Sequence, residues 1–234
     1  MFFGWFYYDW TLLIVLPAII FSMIASAKVR STFDQYSRHK NARGLTGAEA
    51  ARKMLNANGL YHVNILRTSG HLSDHYNPKD QTLYLSNEVY DSASTAAVGV
   101  ACHEVGHALQ HADAYAPLTV RMGMVKACNF GSTLATPLFF IGLLFAGEFG
   151  YLFMLAGIAC FSLATFFQLV TLPVEFNASR RALQGIRESG MLYDNELEGA
   201  KRVLSAAAMT YVAALATSLL SLLRLIMIAN NRRR

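Results

Sequence analysis

The chain is predicted to be a mostly α, polytopic membrane protein with about four transmembrane helices and one small α+β region. Three observations predict this: its composition, four long apolar runs, and a metal-ligand spacing in a polar segment between them. Of the 234 residues, 54% are hydrophobic and only 15% charged, with a mean hydropathy of +0.31. That is more apolar than a soluble domain of this length requires. Residues 11–27, 127–146, 151–172 and 205–228 are each long and apolar enough to cross about 30 Å of hydrocarbon as a helix. A buried core helix would instead show a polar stripe or stop near about 10 to 14 residues. The remaining segments, 28–126 and 173–204, form the α+β region of what reads as a single domain, 1–234, without repeats or low-complexity linkers.

Each element has its own local signal. The first run follows Trp5, Phe6, Tyr7, Tyr8 and Trp10, a cluster suited to the membrane–water interface. Ala25-Ser26-Ala27 resembles a processing site, but no Lys or Arg precedes the run, so a retained anchor is expected rather than a cleaved signal peptide. Thr46 to Asn58 predicts an amphipathic helix, with Thr46 and Glu49 as a capping box, an apolar face of Ala50, Met54 and Leu55, and Gly59 as its stop. Val63, Ile65 and Leu66 predict a short strand. A polar loop with His71, Asp74, His75, Asn77 and Pro78 follows, then a second strand over Gln81 to Ser86. Cap candidates at Ser92, Ser94 and Thr95 precede a helix from Ala96 to Gln110, with Pro117 beyond its end. Gly147-Glu148-Phe149-Gly150 is expected to turn between the second and third runs. Pro173, followed by Glu175, Ser179 and Leu183 at successive i+4 steps, is expected to begin or resume a helix after the third.

Basic residues orient the spans. Lys28, Arg30, Arg38, Lys40 and Arg43 follow the first run, Arg121 and Lys126 precede the second, and Arg180, Arg181 and Arg187 follow the third. The positive-inside rule therefore puts 28–126 and 173–204 in the cytoplasm and the Glu148 turn outside. Four full crossings would leave Arg232, Arg233 and Arg234 outside; either that short tail is outvoted or the last helix stops short. Arg224 lies near enough to the end of its run to snorkel. The net charge of +5 is explained by these flanks meeting anionic headgroups, so no nucleic-acid partner is expected. Cys102, Cys128 and Cys160 form no C-x-x-C pair, and free thiols are expected.

The chemistry sits in His103-Glu104-Val105-Gly106-His107. On a helix, residues four apart share a face about 6 Å apart along the axis, so His103 and His107 converge on one tetrahedral metal. Glu104, beside that face, is placed to take a proton from a water at the metal. His111 extends the spacing but lies about 12 Å from His103 along the axis, too far to share the ion; it reads as a supporting or surface residue. Catalytic zinc needs a third protein ligand and an open position. Glu175, at the expected cytoplasmic end of the third run, is the candidate, against a plain helix-start carboxylate stabilised by the dipole. His71 or His75 could donate to a developing oxyanion, or their loop could be a structural turn. Arg180 and Arg181 read as substrate-carboxylate or lipid-headgroup contacts. An edge strand beside the metal would pair with an extended peptide and bind backbone rather than sequence.

Taken with Leu72-Ser73-Asp74-His75-Tyr76-Asn77-Pro78, Leu83-Tyr84-Leu85-Ser86, His103 to Gln110 and Glu175-Phe176-Asn177-Ala178-Ser179-Arg180-Arg181-Ala182, the chain resembles the YugP-type neutral zinc metallopeptidases of bacteria over nearly its whole length. The resemblance implies a membrane-embedded zinc-dependent endopeptidase of gluzincin type with a zincin-like catalytic region. It implies one Zn2+ per chain held by His103, His107 and Glu175, with Glu104 as general base and peptides or membrane proteins as substrates. The implied location is the bacterial inner membrane, multi-pass in the lipid bilayer, with the site facing the cytoplasm. The plan is also similar to the HtpX and CaaX prenyl proteases, whose glutamate helix carries an Asp four residues on. Here Ser179 stands at that place, leaving Asp74 or Asn177 as substitute partners for a zinc-bound histidine. Two rival readings stand beside this one. The first is a non-enzymatic membrane adaptor or scaffold with a structural zinc, which would need a fourth ligand that Cys102, about 100° around the helix from His103, does not supply. The second is the same protease facing outward after signal cleavage.

Overall fold

The computed structural model describes residues 10–233, so the aromatic cluster at Trp5 to Tyr8 and the last residue, Arg234, lie outside the described residues. Seven helices and three strands follow in the order α1 (Leu12–Ser37), α2 (Gly47–Ala57), β1 (Asn64–Thr68), β2 (His75–Asn77), β3 (Thr82–Ser86), α3 (Asn87–Tyr90), α4 (Thr95–Ala112), α5 (Ala116–Leu144), α6 (Gly147–Glu188) and α7 (Asp194–Arg233). The helices α1, α5, α6 and α7 are long and apolar enough to cross a membrane. All four outrun their apolar stretches, because helix geometry continues into polar sequence where hydropathy no longer reports it. Residues 147–150, expected as a turn, are already helical and begin α6. Pro173 does not start a helix but sits inside α6. It cannot donate to the carbonyl four residues earlier, yet the helix carries on past it.

The chain divides into two compact units. One holds the described residues up to Ile24, Val120–Leu172 and those from Tyr211; the other holds Ala25–Thr119 and Pro173–Thr210. The first unit is helical and presents large apolar side chains outward, among them Leu13, Met23, Phe130 and Leu152 at 61–70% exposure, the surface expected of helices solvated by lipid. Within it, hydroxyls bridge helices: Thr165 Oγ1 and Ser218 Oγ are 2.8 Å apart, and Ser22 Oγ and Thr217 Oγ1 are 3.1 Å apart. Arg224 Nε donates to Thr11 Oγ1, just before the start of α1, at 3.2 Å. Arg232 donates to the carbonyls of Gly142 and Leu143, so α7 runs as far as the α5–α6 turn and does not stop short of it.

The second unit packs α2, α4 and the sheet around a core that includes Met54, Leu55, Leu83, Leu85, Val98, Val105, Ile186 and Met191. The capping box at α2 forms as predicted: Thr46 Oγ1 accepts from the Glu49 N–H at 3.2 Å, and Glu49 Oε2 accepts from the Thr46 N–H at 2.8 Å. The strand order is β1-β3-β2, with β1 parallel and β2 antiparallel to β3. The two predicted strands are therefore both present, and a third, β2, forms within the expected polar loop. It puts β3 in the middle of the sheet, where Leu83 and Leu85 are fully buried, and makes β2 the edge that meets α4. Ser94 caps α4 by accepting from the Ala97 N–H at 3.1 Å.

Candidate metal centre

His103 and His107 project from one face of α4, with ring planes 87° apart and centroids 4.8 Å apart. Glu175, 72 residues further along the chain, reaches the same point from α6. Its Oε2 lies 3.3 Å from His103 Nε2 and 3.6 Å from His107 Nε2. Ligand atoms held about 2.0–2.1 Å from a tetrahedral ion lie about 3.3 Å from one another, so the donor set has the dimensions of a zinc site. Two imidazole nitrogens and one carboxylate oxygen, all within 4.8 Å of one another, could hold a metal. Gly106 makes the approach possible. A Cβ there would lie 2.5 Å from the Ala178 carbonyl oxygen, so only glycine lets α6 come close enough to α4 to deliver Glu175. Mid-helix placement also overturns the reading of Glu175 as a helix-start carboxylate, since α6 begins at Gly147.

Both Nδ1 atoms have partners, and at His107 the partner fixes the tautomer. His107 Nδ1 lies 3.0 Å from Gln110 Oε1. The Gln110 amide cannot be turned over, because its Nε2 donates to the Val174 carbonyl at 2.8 Å and to Asn177 Oδ1 at 2.9 Å. A carbonyl oxygen only accepts, so His107 Nδ1 carries the hydrogen and Nε2 offers its lone pair to a cation. His103 Nδ1 makes the corresponding contact with Ser179 Oγ at 3.1 Å. The residue four beyond Glu175 thus supports a histidine as a serine, and neither suggested substitute is needed. Asn177 acts through Gln110, and Asp74 is engaged at β3, accepting from the Ser86 N–H at 2.7 Å.

The electrostatics favour positive charge. Burial works against a charged imidazole at His107, but the Glu175 carboxylate, the Glu104 charge and Gln110 outweigh it and hold its pKa above the usual value. A divalent ion bound at His107 would have to displace that proton, so its affinity would fall at low pH. Glu104 is nearly buried, and its Oε2 accepts the Tyr76 N–H from β2 at 3.0 Å. β2 lies at the edge of the sheet, and this N–H is taken up by Glu104 rather than by β3.

Of the residues named from the sequence, the structure brings His103, His107 and Glu175 together, with Glu104 on the same helix as the two histidines. His71 and His75 are held elsewhere: His71 Nδ1 bonds the Glu88 carboxylate with its ring edge-on to Phe33, and His75 stacks on Tyr84 at 4.9 Å. An oxyanion role for either would require releasing those contacts. His111 supports the edge strand, its Nδ1 3.0 Å from the Tyr76 hydroxyl. Arg181 pairs with Asp113, donates to Asn177 and lies over Tyr115, tying the α4–α5 turn to α6. Gln110 and the Tyr76 N–H were missed. The first had a signal, a polar residue one turn beyond His107, whereas the second is backbone and has none.

A mostly helical chain with four apolar helices and a His2Glu cluster on two crossing helices is the plan of a membrane metallopeptidase, and family comparison agrees. The family described as "Putative neutral zinc metallopeptidase" matches residues 11–230, and the chain belongs to it. The chain is 47% identical over 220 residues, 94% of its own length and 96% of the relative's, to the protein of Bacillus subtilis (strain 168) described as "Putative membrane protease YugP". No solved structure matches significantly.

Proposed function

We propose that the protein is an integral-membrane zinc endopeptidase in which His103, His107 and Glu175 hold one metal ion and Glu104 is the general base. The observation that carries this is the three-ligand geometry: Glu175 Oε2 lies 3.3 and 3.6 Å from the two histidine Nε2 atoms and the three ligand groups lie within 4.8 Å of one another, with no fourth His, Cys, Asp or Glu in the cluster among the described residues. A structural site would be closed by a fourth side chain. Zinc bound there would supply the Lewis acidity that makes a water nucleophilic near neutral pH and polarises the scissile carbonyl. Glu104 would accept the proton of the attacking water and return it to the leaving amine. Gln110 would keep His107 in the tautomer that binds metal, and Ser179 would orient the His103 ring. The open edge of β2, with its Tyr76 N–H beside Glu104, would take an extended peptide as an added strand and lay it across the site. Placement of the site at the cytoplasmic face of a bacterial inner membrane follows from the basic flanks and belongs to the same proposal.

Glu104→Gln tests it. The variant should lose proteolysis of an unfolded membrane-protein substrate while retaining about one zinc per chain, since the three ligands are untouched. Full activity in Glu104→Gln would refute the mechanism.

A further inference from the structure

A cavity of about 500 Å³ opens between α1 and α7, remote in sequence from every metal-site residue. Its cationic lining is Lys28 from α1 and Lys201 and Arg202 from α7, against one carboxylate, Glu198. Glu198 lies 3.5 Å from Lys201 Nζ and 3.4 Å from Arg202 Nε. All three side chains are at least half exposed, so these long ion pairs hold little energy and leave both cations able to reorient toward a stronger anion. Thr32, Gln35, Tyr36 and Ser205 add hydrogen-bonding groups. The rear of the cavity is firm: Gly199 has no side chain, and a Cβ there would lie 2.8 Å from the Tyr36 ring, so the aromatic plane packs directly on α7.

The cavity stands where both helices change character. Lys28 is the first charge after the apolar run 11–27 of α1, and Arg202 is the last before the apolar run 205–228 of α7. Ala206 and Met209 line the cavity on the apolar side, about one and two turns beyond Arg202 along α7. A ligand matching this gradient carries a phosphate at one end and hydrocarbon at the other. We infer that the Lys28–Lys201–Arg202 cavity is a binding site for the headgroup of an anionic glycerophospholipid. Basic pockets between membrane helices bind such headgroups through the same combination of net positive charge and adjoining apolar surface. The metal-site reading is not needed for this inference, and neither depends on the other.

The test uses the full chain in phosphatidylcholine nanodiscs with and without phosphatidylglycerol, reading thermal unfolding and, by native mass spectrometry, retained lipid. Phosphatidylglycerol should raise the wild-type melting temperature and remain bound. Each cation removed should weaken retention about fivefold, so Lys28→Gln/Lys201→Gln/Arg202→Gln should lose both effects. Arg121→Gln/Lys126→Gln, which removes basic charge from α5, should keep them. The single Lys28→Gln and Lys201→Gln variants, both at exposed positions, repeat the measurement should the triple variant fold poorly. Equal lipid retention in pocket variants and wild type would overturn the proposal. So would an equal loss in the α5 variant, which would mean only a diffuse surface charge effect. Inorganic phosphate added to pure phosphatidylcholine discs should not reproduce the stabilisation; if it does, the site is a free-phosphate site and the lipid assignment fails.

Discussion

Gly106→Ala isolates the contact that brings the carboxylate to the histidines. The added Cβ would stand 2.5 Å from the Ala178 carbonyl oxygen, and ordinary contact begins at 3.4 Å, so α6 must retreat by about 0.9 Å. Both partners are helix backbone, which gives way less readily than the end of a side chain. Overpacking of this kind costs about 1–3 kcal/mol of stability. Glu175 lies three residues before Ala178 on the same rigid helix and would move with it. A ligand bond is only about 2.0–2.2 Å long, so a retreat of this size takes the carboxylate out of coordination. The expected result is a zinc dissociation constant raised by at least tenfold, measured by competition with a chromophoric chelator, alongside a lower melting temperature. Gly99→Ala is the control. It lies two turns earlier on α4, where a Cβ would meet the Ala200 Cβ at 3.1 Å, and it should cost some stability while leaving zinc affinity near wild type. If Gly106→Ala bound zinc as tightly as wild type, the packing argument for how Glu175 is delivered would be wrong.

Ser179→Ala and Gln110→Leu each remove a partner of an imidazole of the proposed metal site and should weaken zinc binding about 10- to 100-fold in the same competition assay. Ser179→Asp should retain or strengthen binding, because a carboxylate accepts the His103 Nδ1–H more strongly than a hydroxyl does. The Asp74 carboxyl has its pKa raised, chiefly by burial, with the Ser86 N–H opposing and the Glu104 charge adding to the rise. A carboxyl that holds its proton more tightly folded than unfolded contributes stability at low pH and loses it as pH rises through the folded value. Asp74→Asn should therefore gain melting temperature relative to wild type as pH rises from about 4 to 7. A difference between the two that stays constant over that range would rule this out.

The helical plan and the paired histidines were legible because each rests on a local signal. Hydropathy marked the four long helices, i,i+4 spacing marked the two histidines, and the capping box marked α2. The lengths of α1, α6 and α7 were not legible, since the apolar pattern ends before the helix does, and Pro173 read as a boundary although α6 passes through it. Nor could β2 be read. His75-Tyr76-Asn77 is too short for alternation to register, and its strand character comes from pairing with β3 rather than from its own residues. The close approach at Gly106 was invisible for another reason: a glycine inside a helix motif says nothing about which distant backbone will lie against it. Ser179 looked like a loss because an aspartate was expected there, yet its hydroxyl makes the same contact with His103.

The hydrogen bond from Tyr76 to Glu104 ties the base to one rung of the sheet edge. Alternate residues of any strand laid on that edge face opposite ways, so sliding by a single residue exchanges every side chain's side. In the proposed enzyme the carboxylate is then a fixed mark on a ruler. Where a peptide is cut would be counted off from how many residues engage the edge, largely without reading which residues they are.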